Sequence, residues 1–381
     1  MKTYDVVIVG GGIIGGSIAF ELARRNLRVA VLDRQELMHE ASWAAAGMLS
    51  PAPDNPAAIP LVPLGRASLA LYPNFVAAVE EASEMRTGYR TGGALEVLCH
   101  GDEERELSTL VALHHGLGLA CEPLRLEEAR EMEPALGRDA RAAAFLPDEA
   151  SVNTRLLTAA VLAAAETAGT TLCPGMEVTS LAKAGDRCIG VRTAEDETIS
   201  AQHVVLAAGC WTSRISEAAP YAPTRPVRGQ MVALRHAGKP IRRVLRSERG
   251  YIVPRDHSTP QKLVAGSTLE NAGYEKAVTS GGLEQILGAV NELAPSLAGA
   301  EIVETWSGLR PGTPDQLPII GPTDIEGLMI ATGHYRNGIL LAPVTAKLIT
   351  EWITEGRTML NGEDFNPLRF MRGNADRSAT A

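Results

Sequence analysis

The chain has 381 residues, 45% hydrophobic and 21% charged, with a net charge of −9. That length exceeds one ordinary core and points to two intertwined domains, while the acidic balance argues against nucleic acid and anionic membranes as partners. Five scattered cysteines without CxxC spacing fit a reducing cytoplasm, with no disulfide framework and no zinc site.

The start enters a strand at once, so no leader peptide is expected, and no apolar run reaches transmembrane length. The short apolar run Val6-Val7-Ile8-Val9 flows into Gly10-Gly11-Gly12-Ile13-Ile14-Gly15. A helical pattern follows, with Ile14, Ile18 and Leu22 on one face. Val29-Ala30-Val31-Leu32 then ends in Asp33, 23 positions after Gly10. This is a βαβ unit carrying GxGxxG and a terminal acid, and it predicts dinucleotide binding. Gly10, Gly12 and Gly15 allow the tight turn and let the backbone approach a pyrophosphate. The helix N-terminus faces the phosphates. Asp33 is placed to accept from both ribose hydroxyls and would repel a 2′-phosphate.

Next comes a small, apolar segment, Glu40-Ala41-Ser42-Trp43-Ala44-Ala45-Ala46-Gly47-Met48, and then five prolines within 51–63, which read as an extended or looped connection. Helices are predicted over 64–84 and 103–115, with a strand over 94–98. His114 and His115 are adjacent on that second helix and read as surface residues. Asn153 or Thr154 caps a helix that Gly169 ends. Strands follow over 170–173, 178–181, 188–192 and 203–208. Residues 225–305 carry alternating strands, including 230–234, 251–253 and 263–266, with a helix over 283–293. The last strand, 328–332, closes at Gly333 and leads into a helix over 338–355. The polar stretch from Asn366 reads as loose.

Three motifs give the chain a family resemblance. They are the glycine turn, the Glu40–Leu49 segment, and a C-terminal pair. That pair is Trp306-Ser307-Gly308-Leu309-Arg310-Pro311-Gly312-Thr313-Pro314-Asp315 with Gly333-His334-Tyr335-Arg336-Asn337-Gly338-Ile339-Leu340. Together, over residues 4–352, they resemble the D-amino-acid oxidase-like family of FAD-dependent oxidoreductases. The resemblance implies an α/β (α+β) architecture: a Rossmann-like FAD-binding domain of the glutathione-reductase type interleaved with an antiparallel-sheet substrate domain. The FAD-binding domain is expected in three pieces, 1–50, 145–215 and 306–365. The substrate domain would take 51–144 and 216–305, with a polar tail over 366–381.

The resemblance also implies a site. Gly10, Gly12, Ile13, Ile14, Gly15, Asp33, Arg34, Ala41, Ser42, Ala46, Gly47, Met48 and Val178 would hold FAD. So would His334, Tyr335, Arg336, Asn337, Gly338, Ile339 and Leu340. Ala46-Gly47-Met48 would pass beside the flavin ring. The FAD would be non-covalent, since no cysteine follows Cys210. Arg310 would hold a substrate carboxylate, because a planar, permanently charged fork suits it; Arg336 and Tyr251 would assist. The flavin carries the hard chemistry, so no catalytic side chain is expected and no metal. The implied reaction is oxidation of a small amino acid, glycine first, with O2 as acceptor and H2O2 as product, feeding thiamine thiazole formation. A D-amino-acid or sarcosine oxidase or dehydrogenase of the same family is the alternative. Relatives form homotetramers, so a homo-oligomer is expected.

Overall fold

The computed structural model describes residues 3–360 and 362–371. Strand β1 (Thr3–Val9) pairs in parallel with β2 (Val29–Leu32), and helix α1 (Ile13–Ala23) makes the crossover. β1 lies inside an eight-stranded sheet, with Thr198–Leu206 on its other side. Val6 to Val9 are buried on both faces, as an unbroken apolar run in a covered parallel strand requires. Leu328–Thr332 extends the parallel set, and Ile319–Pro322 closes that edge in antiparallel register. Thr171–Cys173 closes the opposite edge beside β2. The hairpin Val178–Ala184 and Arg187–Thr193 turns at Gly185 (φ +61) and joins the sheet through Thr198–Leu206.

The second eight-stranded sheet runs Glu301–Gly312, Arg225–His236, Gln261–Gly266, Gly250–Pro254, Val244–Ser247, Ala94–Leu98, Ala142–Leu146 and Glu122–Leu124. It is antiparallel except where Val244–Ser247 runs parallel to Ala94–Leu98. Its core is Leu95, Val232, Leu245, Ile252 and Leu263 against Ile286, Val290 and Leu293 of the helix Ser280–Leu293.

α1 is buried nearly all round, beyond the single apolar face that its pattern suggests. It lies between the first sheet and the helices Thr154–Thr167 and Gly338–Glu355, and it contacts both. The helix Gly338–Glu355 carries Pro343 in its interior. A proline has no N–H, so the Ile339 carbonyl four residues earlier loses its helical donor. The Tyr72 hydroxyl, from the helix Val62–Ser83, donates to that carbonyl at 2.7 Å instead. Ser68 Oγ works one position further on, donating to the Leu340 carbonyl at 2.5 Å and accepting from the Val344 N–H at 3.4 Å.

Three local expectations change. The proline-rich connection is not extended or looped throughout, because Pro56–Leu61 forms a 3-10 turn running straight into the helix at Val62. His114 is buried, not on the surface. Leu107, Leu110 and Val111 form one helical stripe that packs inward, and His114 falls on it, with its Nδ1 2.9 Å from the Leu110 carbonyl. The stretch from Asn366 is not loose over its described part. Leu368, Phe370 and Met371 pack on the first sheet's outer core, and Arg369 grips Asp315 through Nε at 2.8 Å. Residues 372–381 lie outside the described set. Among the described residues no two cysteines form a disulfide, and no helix is long and apolar enough to cross a membrane.

Replacing Tyr72 with Phe leaves the Ile339 carbonyl buried without a donor, which costs about 1–3 kcal/mol. The double variant with Pro343→Ala should recover much of that loss, because an alanine at that position restores the missing N–H. Denaturant unfolding of the four proteins checks this; additive losses would contradict it.

Candidate active site

A long cleft lies along the C-terminal ends of the parallel strands and under the second sheet. It starts at the turn after β1. Gly10 has φ +112, and a Cβ there would lie 2.4 Å from the Ala207 carbonyl oxygen. A Cβ on Gly15 would lie 2.0 Å from the Gly10 carbonyl oxygen. The third glycine therefore serves helix–strand approach and does not line the cleft. Gly12 has no side chain to cap α1, and the Ile13 N–H donates to Ser42 Oγ at 2.9 Å. Gly12, Ile13 and Ile14 open onto the cleft.

Asp33 sits at the end of β2. Its Oδ2 accepts from the Gly11 N–H at 2.8 Å and its Oδ1 from the Gln35 N–H at 3.2 Å. Burial pushes its carboxyl up from the ordinary aspartate range, and those two N–H groups pull it back. Arg34 donates to Glu40 at 2.8 Å and stacks 4.0 Å from the Trp211 ring centre. Val178 lines the same end.

The middle of the cleft is the Ala41–Met48 segment, of which Ala41, Ser42, Ala46, Gly47 and Met48 all line it. Gly47 has φ +82, and a Cβ there would lie 2.0 Å from the Val152 carbonyl oxygen. The segment is fastened from several sides. Thr154 Oγ1 donates to the Ala45 carbonyl at 2.9 Å, and Trp306 Nε1 to the Ala44 carbonyl at 3.0 Å. The Arg255 guanidinium donates to the Val152 carbonyl at 2.9 Å. Small residues face each other here, since a Cβ on Gly308 would meet that of Ala44 at 2.4 Å.

At the far end stands Arg310. It lies within the strand Glu301–Gly312, not after its end, and pairs with Val227. Its Nη2 donates to Ser267 Oγ at 2.8 Å and its Nη1 to the Thr268 carbonyl at 3.3 Å. No ion pair among the described residues involves it. Gly229 makes the room, because a Cβ there would lie 2.2 Å from the guanidinium. Burial weakens its hold on its proton, the Tyr251 hydroxyl opposes that effect, and the Arg336 charge adds to it. Tyr251 lines the same end and donates to Met231 Sδ at 3.4 Å. Arg336 also lines the cleft, but its charge is shared with Asp54 at 3.2 Å.

The roof ends at the helix Gly338–Glu355, which has no side-chain cap and no acid in its first turn. His334, Tyr335, Gly338 and Ile339 line the cleft. Asn337 is the N-cap, and Leu340 turns into the core, so neither does. His334 is fully enclosed, with Nε2 3.0 Å from Thr345 Oγ1, and burial pushes its pKa down to about 3. Its ring is therefore neutral across the physiological range.

Sequence reasoning missed Trp211, Arg214, Gly229 and Met231, which also line the cleft. Gly209 ended a buried strand in the same way as Gly333, a signal that pointed to the 209–214 turn. Nothing local marked Gly229 or Met231; they matter because register sets Gly229 opposite Gly308. Among the described residues no cluster could hold a metal ion.

The residues fit a dinucleotide carrying a flat ring. Glycine gaps lie where side chains would fill the cleft, two helix N-termini without acidic first turns face it, and an acceptor carboxylate closes one end. At the other end a half-buried cation, Arg310, lacks a carboxylate among the described residues, which suits a substrate anion.

Comparison with known proteins agrees. Residues 5–352 match the DAO family, described as FAD dependent oxidoreductase, and the chain belongs to that family. It is 36% identical to the bifunctional protein ThiO/ThiG of Trichormus variabilis over 97% of its own length, but it spans only 56% of that protein. It is 34% identical to the glycine oxidase of Geobacillus kaustophilus, covering 96% of this chain and 97% of that one. The crystal structure of glycine oxidase from that organism superposes with a TM-score of 0.89 at 33% identity, over 96% and 98% of the two chains. The fold is thus the mixed FAD sheet with an antiparallel substrate-domain sheet.

The His334 ring makes a pH prediction. Its folded pKa lies below its ordinary value, so its contribution to stability is present above pH about 6.5 and is lost as pH falls toward about 3. Thermal melts across that window should show a steeper decline for the parent protein than for His334→Asn. Parallel curves would remove His334 as the cause.

Proposed function

We propose that this member of the FAD-dependent oxidoreductase family is an amino-acid oxidase whose first substrate is glycine. Arg310 carries the reading: a half-buried guanidinium, held by two neutral oxygens and free of any carboxylate among the described residues, faces the cleft. A substrate carboxylate there meets a charge that is already desolvated and oriented, so little is lost in ordering it. The Tyr251 hydroxyl lies beside that position and can donate to the same carboxylate.

Tyr251 and Met231 line this end beside Arg310, and their bulk supports a substrate with little or no side chain. Glycine would bind with its amine neutral and its Cα toward the Ala46-Gly47-Met48 segment. Non-covalent FAD would rest on the Gly10–Gly12 turn, Asp33 and the uncapped start of the helix Gly338–Glu355. When bound, FAD would supply the two-electron acceptor for the Cα–H bond, and O2 would take those electrons on as H2O2. The glycine imine left behind adds water and releases NH3 and glyoxylate. The reading needs no acid or base from the chain: His334, pushed down to about 3 by burial, is a weak base, and Asp33 is at the opposite end. Delivery of that imine to thiazole formation and assembly into a homo-oligomer belong to the same reading.

The test uses the visible spectrum of FAD-loaded protein. Glycine added without oxygen should bleach the flavin band, and air should restore it with release of H2O2. A band that ignores glycine but bleaches with a larger D-amino acid or with sarcosine moves the substrate within the family. In Arg310→Ala the FAD should stay bound while the KM for glycine rises roughly tenfold or more, the loss of one charged hydrogen bond. Unchanged glycine kinetics would take Arg310 out of the site.

A further inference from the structure

A second cavity, of about 930 Å³, lies at the far end of the second sheet and shares no lining residue with the active-site cleft. That volume falls within the roughly 300–1,000 Å³ of small-molecule sites. Three arginines converge on it. Arg90 comes from the segment before the strand Ala94–Leu98, and Arg242 and Arg243 immediately precede Val244–Ser247. His257, Ser258 and Thr259, on the loop between Gly250–Pro254 and Gln261–Gly266, complete the wall.

None of the three arginines takes part in an ion pair among the described residues. Each is instead held by neutral groups. Arg243 donates through Nε to the Gly92 carbonyl at 3.0 Å and through Nη1 to the Met132 carbonyl at 2.8 Å. Arg90 Nη2 lies 2.8 Å from His257 Nε2 and 3.4 Å from the Arg242 carbonyl. Arg242 Nη1 reaches the Glu131 carbonyl at 3.4 Å. The carboxylates nearby form no ion pair with these guanidinium groups, although Glu133 leaves Oε1 without a partner and its charge acts on Arg242 and Arg243. Glu133 spends Oε2 on the backbone N–H groups of Arg242 and Arg243, at 2.8 and 3.1 Å. Asp256 accepts from Ser258 and from the Lys262 N–H within its own loop. Glu131, the one acid on the wall, is exposed and lies in the field of Arg125.

Three like charges held at one cavity repel each other, and the charges of Glu133 and Asp256 offset part of that cost without forming an ion pair with any of the three. Carbonyl contacts fix the forks yet leave N–H donors over, which is the preorganised donor set that phosphate oxygens take. We infer that this cavity is a binding site for a small phosphorylated anion, separate from the substrate site.

The experiment is calorimetric titration of the FAD-loaded protein with pyrophosphate at constant ionic strength. One saturable site per chain is expected. Arg90→Gln and Arg242→Ala should each weaken it roughly tenfold, the loss of one charged hydrogen bond. Glu131→Gln removes the acid that lines the cavity and should tighten it two- to threefold, about the effect of a partly screened charge. Arg242 and Glu131 are exposed, so these two variants keep the fold and its FAD spectrum, which serves as the folding control. No saturable heat with pyrophosphate or inorganic phosphate overturns the proposal. So does binding that all three substitutions leave unchanged. The readout is independent of amino-acid turnover, so failure of the glycine reading would not touch it.

Discussion

The end of β1 and the start of α1 must lie almost in contact, and the rest of the molecule is arranged around that approach. A carbonyl oxygen occupies the space where the Gly15 Cβ would be, and Gly10 turns through φ +112 beside the Ala207 carbonyl. The approach brings the bare N-terminus of α1 to the sheet edge. It also packs α1 so deeply that Thr154–Thr167 and Gly338–Glu355 must cover it. The last of those helices carries its own uncapped N-terminus to the same cleft, on the opposite wall. Two helix N-termini whose N-cap residues make no side-chain cap therefore face one space, which is a standing preference for negative charge.

The helix Gly338–Glu355 can hold that position because its defect is repaired from outside. Pro343 costs it a backbone donor, and Tyr72 and Ser68 rebuild the bonding at the first turns. The Val62–Ser83 helix belongs in sequence to the stretch expected to serve the substrate domain, yet its hydroxyls steady a helix at the cofactor end. Likewise Arg255, the residue after the second-sheet strand Gly250–Pro254, fastens the Gly47 segment through the Val152 carbonyl. The two layers are coupled by hydrogen bonds to main-chain carbonyls and by the ion pair between Arg155 and Glu304.

Charge placement separates scaffold from site. Many arginines of the chain sit in ion pairs, such as Arg155 with Glu304 and Arg369 with Asp315. Arg310 and the trio at the second cavity do not. A cation kept from acids but fixed by carbonyls is prepared for an anion that arrives from solution.

Much of this was legible in the chain. The βαβ unit with its glycines and Asp33 specified a nucleotide turn, because backbone approach and a ribose acceptor each demand a residue type at a set spacing. The helices over 154–167 and 338–355 followed from caps and apolar period. Arg310 stood out only through the C-terminal motif, and its burial, its missing counter-ion and the space left by Gly229 needed the pairing of Arg225–His236 with Glu301–Gly312. Gly15 and Leu340 shared motifs with lining residues yet face the core, since helix geometry turns neighbours apart. His114 read as surface until its helix found a sheet to pack on. Short-range requirements such as turns, caps and periodicity are properties of the sequence itself. Which charges remain unpaired, and which strands oppose one another, are decided by long-range packing, because they depend on residues that meet only when the chain is folded.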